Sequence, residues 1–128
     1  MLALQQNHLA RLPAEIGDLA NLEWLYLQQN HLVTVPAEVA KLTKLTHLRL
    51  DENEITCFPG SALGGLISLT HLFLEKNSLE ALPAEVGGLK QLTQLRLDNN
   101  LLTSIPSQLG QLTKLTTLRL EMNRQAPP

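Results

Sequence analysis

The chain has 128 residues, of which 31 are leucine, and 44% of it is hydrophobic while only 3% is aromatic. Ten Lys and Arg against twelve Asp and Glu leave a net charge of −2, which lacks the positive footprint of a nucleic-acid or anionic-membrane binder. No apolar run approaches the roughly 18 uninterrupted residues of a membrane span, so the composition predicts a leucine core and a partner that is neither nucleic acid nor membrane.

The first predicted strand lies around Ala3, between Leu2 and Leu4, and Asn7 follows it. Asparagines then recur at Asn30, Asn53, Asn77, Asn100 and Asn123, with spacings of 23, 23, 24, 23 and 23 residues. That is the period of a solenoid. Ahead of Asn30 stand Leu22, Leu25 and Leu27, and the same frame precedes each later asparagine: Leu45 to Asn53, Leu69 to Asn77, Leu92 to Asn100, Leu115 to Asn123. The first copy opens inside a repeat. The expected organisation is one domain over residues 1–128, of about five and a half units, without evident caps.

One unit follows from its residues. Leu25-Tyr26-Leu27 alternates apolar and variable positions with period two, which predicts a short strand with one face in the core. Copies a repeat apart stack as parallel neighbours, and six strands about 4.8 Å apart span roughly 24 Å. Each asparagine can bond the backbone of its loop, making a ladder across the repeats. Pro13, Pro36 and Pro83 each open a predicted short helical turn, with a glutamate two residues later and usually a glycine to let the turn stop. In the third unit, Phe58 to Leu63 is one residue longer, and a local bulge is expected to absorb it. Phe58 takes a core slot that Leu12, Val35, Leu82 and Ile105 hold in other copies.

These residues resemble the leucine-rich repeat family, whose frame is matched from Met1 to Asn123. The stretches around Pro13 and Pro83 are similar to its intracellular 23-residue subclass. The resemblance implies an α/β fold: a right-handed β-α solenoid with a short parallel sheet on the concave face and short helical or 3-10 turns on the convex face. It also implies a role in protein–protein interaction, whether as an adaptor, as a regulator or inhibitor of a partner enzyme, or as the recognition part of a bacterial effector delivered into host cytosol.

Function is expected in the positions that vary between copies while facing solvent. The slot between the two strand leucines reads Ala3, Tyr26, Arg49, Phe73, Arg96, Arg119. Two positions earlier stand Met1, Trp24, His47, His71, Gln94 and Thr117, and two positions later stand Gln5, Gln28, Asp51, Glu75, Asp98 and Glu121. Trp, Tyr and Arg are the types enriched at binding hot spots. The candidate partner-binding residues are therefore Trp24, Tyr26, His47, Arg49, Asp51, His71, Phe73, Glu75, Gln94, Arg96 and Arg119. The alternative is a structural spacer or assembly unit in which these rings merely stack along the sheet.

Other chemistry is weaker. His47 and His71 fall about 5 Å apart on neighbouring strands but lack further ligands, since Asp51 and Glu75 lie four residues along, so no metal is expected. The acidic column beside Arg49, Arg96 and Arg119 reads as a solvated charge ladder rather than a calcium site. His8 and His31 read as exposed loop residues, and Cys57 as a poor nucleophile. No phosphate loop or hydrolase motif is present. The chain is expected to be no enzyme and to carry no cofactor. One cysteine and a start without a signal-peptide pattern predict a cytoplasmic setting. Terminal repeats without caps, the last followed by Arg124 and a tail ending in Pro127-Pro128, predict end-to-end self-association.

Overall fold

The computed structural model describes residues 1–124; the proline-ended tail lies outside the described residues. Six strands form one sheet in chain order: β1 (Leu2–Ala3), β2 (Trp24–Tyr26), β3 (His47–Arg49), β4 (His71–Phe73), β5 (Gln94–Arg96) and β6 (Thr117–Arg119). Every neighbouring pair is parallel, and equivalent repeat positions face each other, as in Leu25↔Leu48, Leu48↔Leu72 and Leu72↔Leu95. The leucine frame therefore sets the register directly.

Between strands, the chain returns through 3-10 helical turns at Ala14–Asp18, Ala37–Lys41, Ala84–Gly88 and Ser107–Gln111. Successive turns pack against one another as a second layer. The leucines fill the space between the layers: Leu25, Leu27, Leu48, Leu50, Leu72, Leu74, Leu95 and Leu97 are essentially sealed from solvent. Burial of each such side chain contributes about 1.5–3 kcal/mol.

Two expectations about the turns are corrected, and one is made specific. The prolines open the turns as their N-caps. Pro13, Pro36 and Pro83 are extended, with ψ of 151–152°, and sit one residue before each turn. Their carbonyls accept its first bond, as Pro13 does from the Ile16 amide at 3.1 Å. The glycines do not stop the turns, and none has positive φ. Gly17 is buried, and a Cβ on it would lie 2.5 Å from the Glu38 carbonyl oxygen, so glycine is needed for close approach of the next coil. The longer third unit makes no bulge. Its extra residue turns an i→i−3 closure into an i→i−4 closure, with the Leu63 amide donating to Pro59 at 3.0 Å, and a single α-helical turn results, α1 (Gly60–Leu63).

Phe58 fills its core slot at 2% exposure, but Ile105 is 42% exposed. No described coil follows the sixth repeat to cover that side chain.

Two polar ladders lock the repeats. Each ladder asparagine from Asn30 onward donates Nδ2 to a strand carbonyl of the preceding repeat, Leu4 for Asn30 and Leu27 for Asn53, both at 3.0 Å. Its Oδ1 accepts from a loop amide of that repeat, Leu9 or Leu32, also at 3.0 Å. The second ladder runs through Thr46, Thr70, Thr93 and Thr116, whose hydroxyls donate to the carbonyls of Glu23, Thr46, Thr70 and Thr93 at 2.9–3.1 Å. Between strand and asparagine, one residue per repeat turns left-handed: Gln6, Gln29, Glu52, Lys76, Asn99 and Met122 have φ of 56–58°.

A face of rings and guanidiniums

The strand alternation that buries Leu25, Leu48, Leu72 and Leu95 turns the flanking side chains away from the core, onto the open face of the sheet. Parallel register then lines up two rows. One runs Trp24, His47, His71, Gln94, Thr117; the other runs Tyr26, Arg49, Phe73, Arg96, Arg119.

The rings form a connected chain. Trp24 lies 4.8 Å from His47 and 6.0 Å from Tyr26 between ring centroids. His47 and His71 stack at 4.2 Å with planes 12° apart, and His71 meets Phe73 edge-on at 6.0 Å. Phe73 is flanked by two guanidiniums, Arg96 at 4.3 Å and Arg49 at 5.6 Å from its centroid. Trp24 is 41% exposed, and the other rings are half-buried.

Each histidine is fixed by the residue before it. His47 Nδ1 lies 2.9 Å from the Thr46 hydroxyl, and His71 Nδ1 lies 2.8 Å from that of Thr70. The anchors belong to the threonine ladder, so the backbone positions the rings. This role was missed in the sequence, where the repeated Thr-His pairs at 46–47 and 70–71 were its only sign. Burial is the main cause that lowers both imidazole pKa values, and the second is a nearby positive charge: His71 acting on His47, and Arg96 acting on His71.

The acidic column departs from the solvated ladder expected. Asp51 is buried at 4% exposure, holding Arg49 through both oxygens, Nε–Oδ1 at 3.2 Å and Nη2–Oδ2 at 3.0 Å. The pair also raises the arginine's pKa, chiefly through that side-chain hydrogen bond. Glu75 has 15% of its side chain exposed and lies 3.7 Å from Arg96. Burial pushes its carboxyl pKa up, and the negative charges of Asp51 and Asp98 add to the effect. Both carboxylates keep an arginine beside them, Asp51 the one two residues earlier in its own repeat and Glu75 the one in the next repeat. Glu75 Oε1, Asp98 Oδ1, Gln28 Oε1 and the Arg96 Nε are buried without a hydrogen-bond partner.

The structure thus brings together Trp24, Tyr26, His47, Arg49, His71, Phe73 and Arg96. Gln94 stands opposite His71, and Arg119 opposite Arg96. Asp51 and Glu75 are largely covered and pair with Arg49 and Arg96. Among the described residues, no group of three or more His, Cys, Asp or Glu could hold a metal ion. Away from this face, the exposed His8 and His31 rings stack at 5.7 Å, and His31 Nδ1 lies 2.8 Å from Glu54. Cys57 is exposed and free.

The model of a family described as leucine rich repeat matches residues 20–79, 43–102 and 68–124. No curated protein matches the chain. Among solved structures, the plant peptide hormone receptor RGFR1 in complex with RGF2 superposes with a TM-score of 0.86 at 35% identity, over 95% of this chain and 20% of that one. The ectodomain of the Arabidopsis thaliana membrane receptor kinase GASSHO1/SCHENGEN3, in complex with CASPARIAN STRIP INTEGRITY FACTOR 2, gives 0.77 at 37% identity, over 89% and 14%. An LRR protein of Leptospira interrogans gives 0.65 at 35% identity, over 93% and 36%. The chain therefore spans about a fifth of the receptor it superposes on with the highest of these three scores.

Proposed function

The chain belongs to the leucine-rich repeat family, and on that premise we propose that it is a protein-interaction module gripping a protein or peptide partner with the open, concave face of its sheet. The observation that carries this reading is the continuous run from Trp24 through His47 and His71 to Phe73 and Arg96, none of which the core requires. Aromatics and arginines grouped in one patch on the open face, Trp24 exposed and the others half-buried, are the composition of binding hot spots. The RGFR1 and GASSHO1/SCHENGEN3 structures each contain a bound factor, which supports a peptide or protein ligand here.

Trp24 is the outermost anchor, Phe73 and its two arginines are the centre, and Arg119 is the rim charge that selects among partners. The finer form of the reading is a regulator, either an inhibitor seated over a partner enzyme or an effector's recognition part, working in a reducing cytosol where the exposed Cys57 stays a thiol.

Replacing Trp24, Tyr26 and Phe73 by alanine tests the main reading. Loss of an identified partner from a pull-down, with the melting temperature unchanged, supports recognition. Undiminished binding supports the spacer.

A further inference from the structure

The stacked imidazoles are more than two rings in a row. They occupy the middle of the open face, touch Trp24 on one side and Phe73 on the other, and bridge the two halves of the patch. Their Nδ1 atoms are tied to Thr46 and Thr70, so neither ring turns away without breaking a bond to the threonine ladder. Around them stand Trp24 and Tyr26 of β2, Arg49 of β3 with Asp51 just beyond it, Phe73 of β4 with Glu75 just beyond it, and Gln94 and Arg96 of β5 with Asp98 just beyond it. The carboxylates give them little relief: Asp51 is spent on Arg49, and Glu75 faces Arg96. Protonating both rings would set two positive charges 4.2 Å apart beside two guanidiniums.

We propose that the His47–His71 pair is a proton gate on this face: stacked and neutral it completes the partner-binding surface, and protonated it splits the surface and releases the partner. The proposal rests on the concave face being the binding face. As pH falls, the first proton makes the second harder to add, so the pair titrates in two coupled steps. Each step converts a flat, neutral contact area into a hydrated cation, and a partner seated on the rings loses its fit. Both imidazoles titrate below the ordinary 6.5, so the gate is closed over a bound partner at neutral pH and opens in mildly acidic solution.

The molecule carries its own reporter. Trp24 is the single tryptophan and lies 4.8 Å from His47, and an imidazolium at that distance quenches indole emission. The test follows Trp24 fluorescence and the imidazole proton resonances of the full chain from pH 8 to pH 4.5, in wild type, H47Q and H71Q. Emission is expected to drop with a midpoint below 6.5, and the drop disappears in H47Q. In H71Q the His47 midpoint rises by about half a pH unit or more, roughly a threefold gain in proton affinity. Ordinary, independent titration of the two rings, with no effect of H71Q, overturns the gate without touching the binding reading, because this arm uses only protons. A second arm takes a partner whose capture needs Trp24: at pH 5 its affinity should fall at least about tenfold in wild type and far less in the H47Q/H71Q double variant. Equal affinity at both pH values also overturns the gate, while a chain that binds no partner at its rings, yet titrates as coupled, contradicts the binding reading instead.

Discussion

Asn53 reaches across a repeat to Leu27: its Nδ2 donates to the Leu27 carbonyl at 3.0 Å and, at the same distance, to Leu50 in its own repeat. Its Oδ1 closes the set by accepting from the Leu32 amide at 3.0 Å. Of these three buried backbone groups, the Leu32 amide depends on Asn53 alone, while the Leu27 and Leu50 carbonyls also accept from Asn30 and Asn77. Asn53→Ala leaves the Leu32 amide unpaired and is expected to cost about 1–3 kcal/mol. Asn7→Ala should cost under about 1 kcal/mol, because Asn7 is exposed and bonds only Leu4 and Gln5 of its own repeat. Urea unfolding of the two variants gives the comparison.

The glycines separate by what lies above them. A Cβ on Gly65 would strike the Ala40 backbone, and one on Gly17 would lie 2.5 Å from the Glu38 carbonyl oxygen, whereas one on Gly88 would meet no packed neighbour within 4 Å. Gly17→Ala and Gly65→Ala should each destabilise by about 1–3 kcal/mol through overpacking. Gly88→Ala should be neutral or stabilising by up to about 1 kcal/mol, since φ there is not positive and the unfolded chain loses freedom. Thermal melting of all three distinguishes close approach from turn stopping.

Stability should also follow the histidine pair. Their folded pKa values lie below the ordinary 6.5, so the unfolded chain binds protons more readily. The contribution is therefore fully present above about pH 6.5 and is lost as pH falls through the depressed values. Glu75 acts in the opposite sense, because its raised carboxyl pKa favours the folded state as the pH falls toward 4.5. The clean readout is a difference: the H47Q/H71Q variant should lose less stability than wild type between pH 7.5 and pH 5.5. Parallel curves would contradict the shifts.

Glu75→Gln keeps the shape and removes a charge whose burial is unfavourable. It should be more stable than wild type at pH 7.5, with the advantage shrinking as wild-type Glu75 protonates. A loss of stability at pH 7.5 would mean that the 3.7 Å contact with Arg96 outweighs desolvation.

What was legible in the residues was whatever recurs. The leucine frame and the asparagine spacing convey strand order, register and core, because identical neighbours impose identical packing. Local departures were harder to read. The burial of Asp51 depends on Arg49 folding back along one strand face, a choice of side-chain direction that spacing does not show. The left-handed residue before each asparagine carries no glycine signal, because inter-repeat bonds hold it, such as the Glu52 amide to the Glu75 carbonyl at 3.0 Å. Ile105 shares a slot with Leu82 yet is exposed, since the pattern records the slot and not whether a neighbour covers it. The rings were legible as a patch because a strand's period of two leaves them no place in the core.

The most direct test is the affinity of an identified partner for wild type and for the W24A/Y26A/F73A variant, measured by titration calorimetry with E15A on the turn side as control. If the open face is the binding surface, Kd rises at least about 30-fold in the triple variant, the loss of about 2 kcal/mol typical of a hot spot, while E15A and the melting temperatures stay unchanged. An unaltered Kd in the triple variant, or an equal loss in E15A, would contradict it.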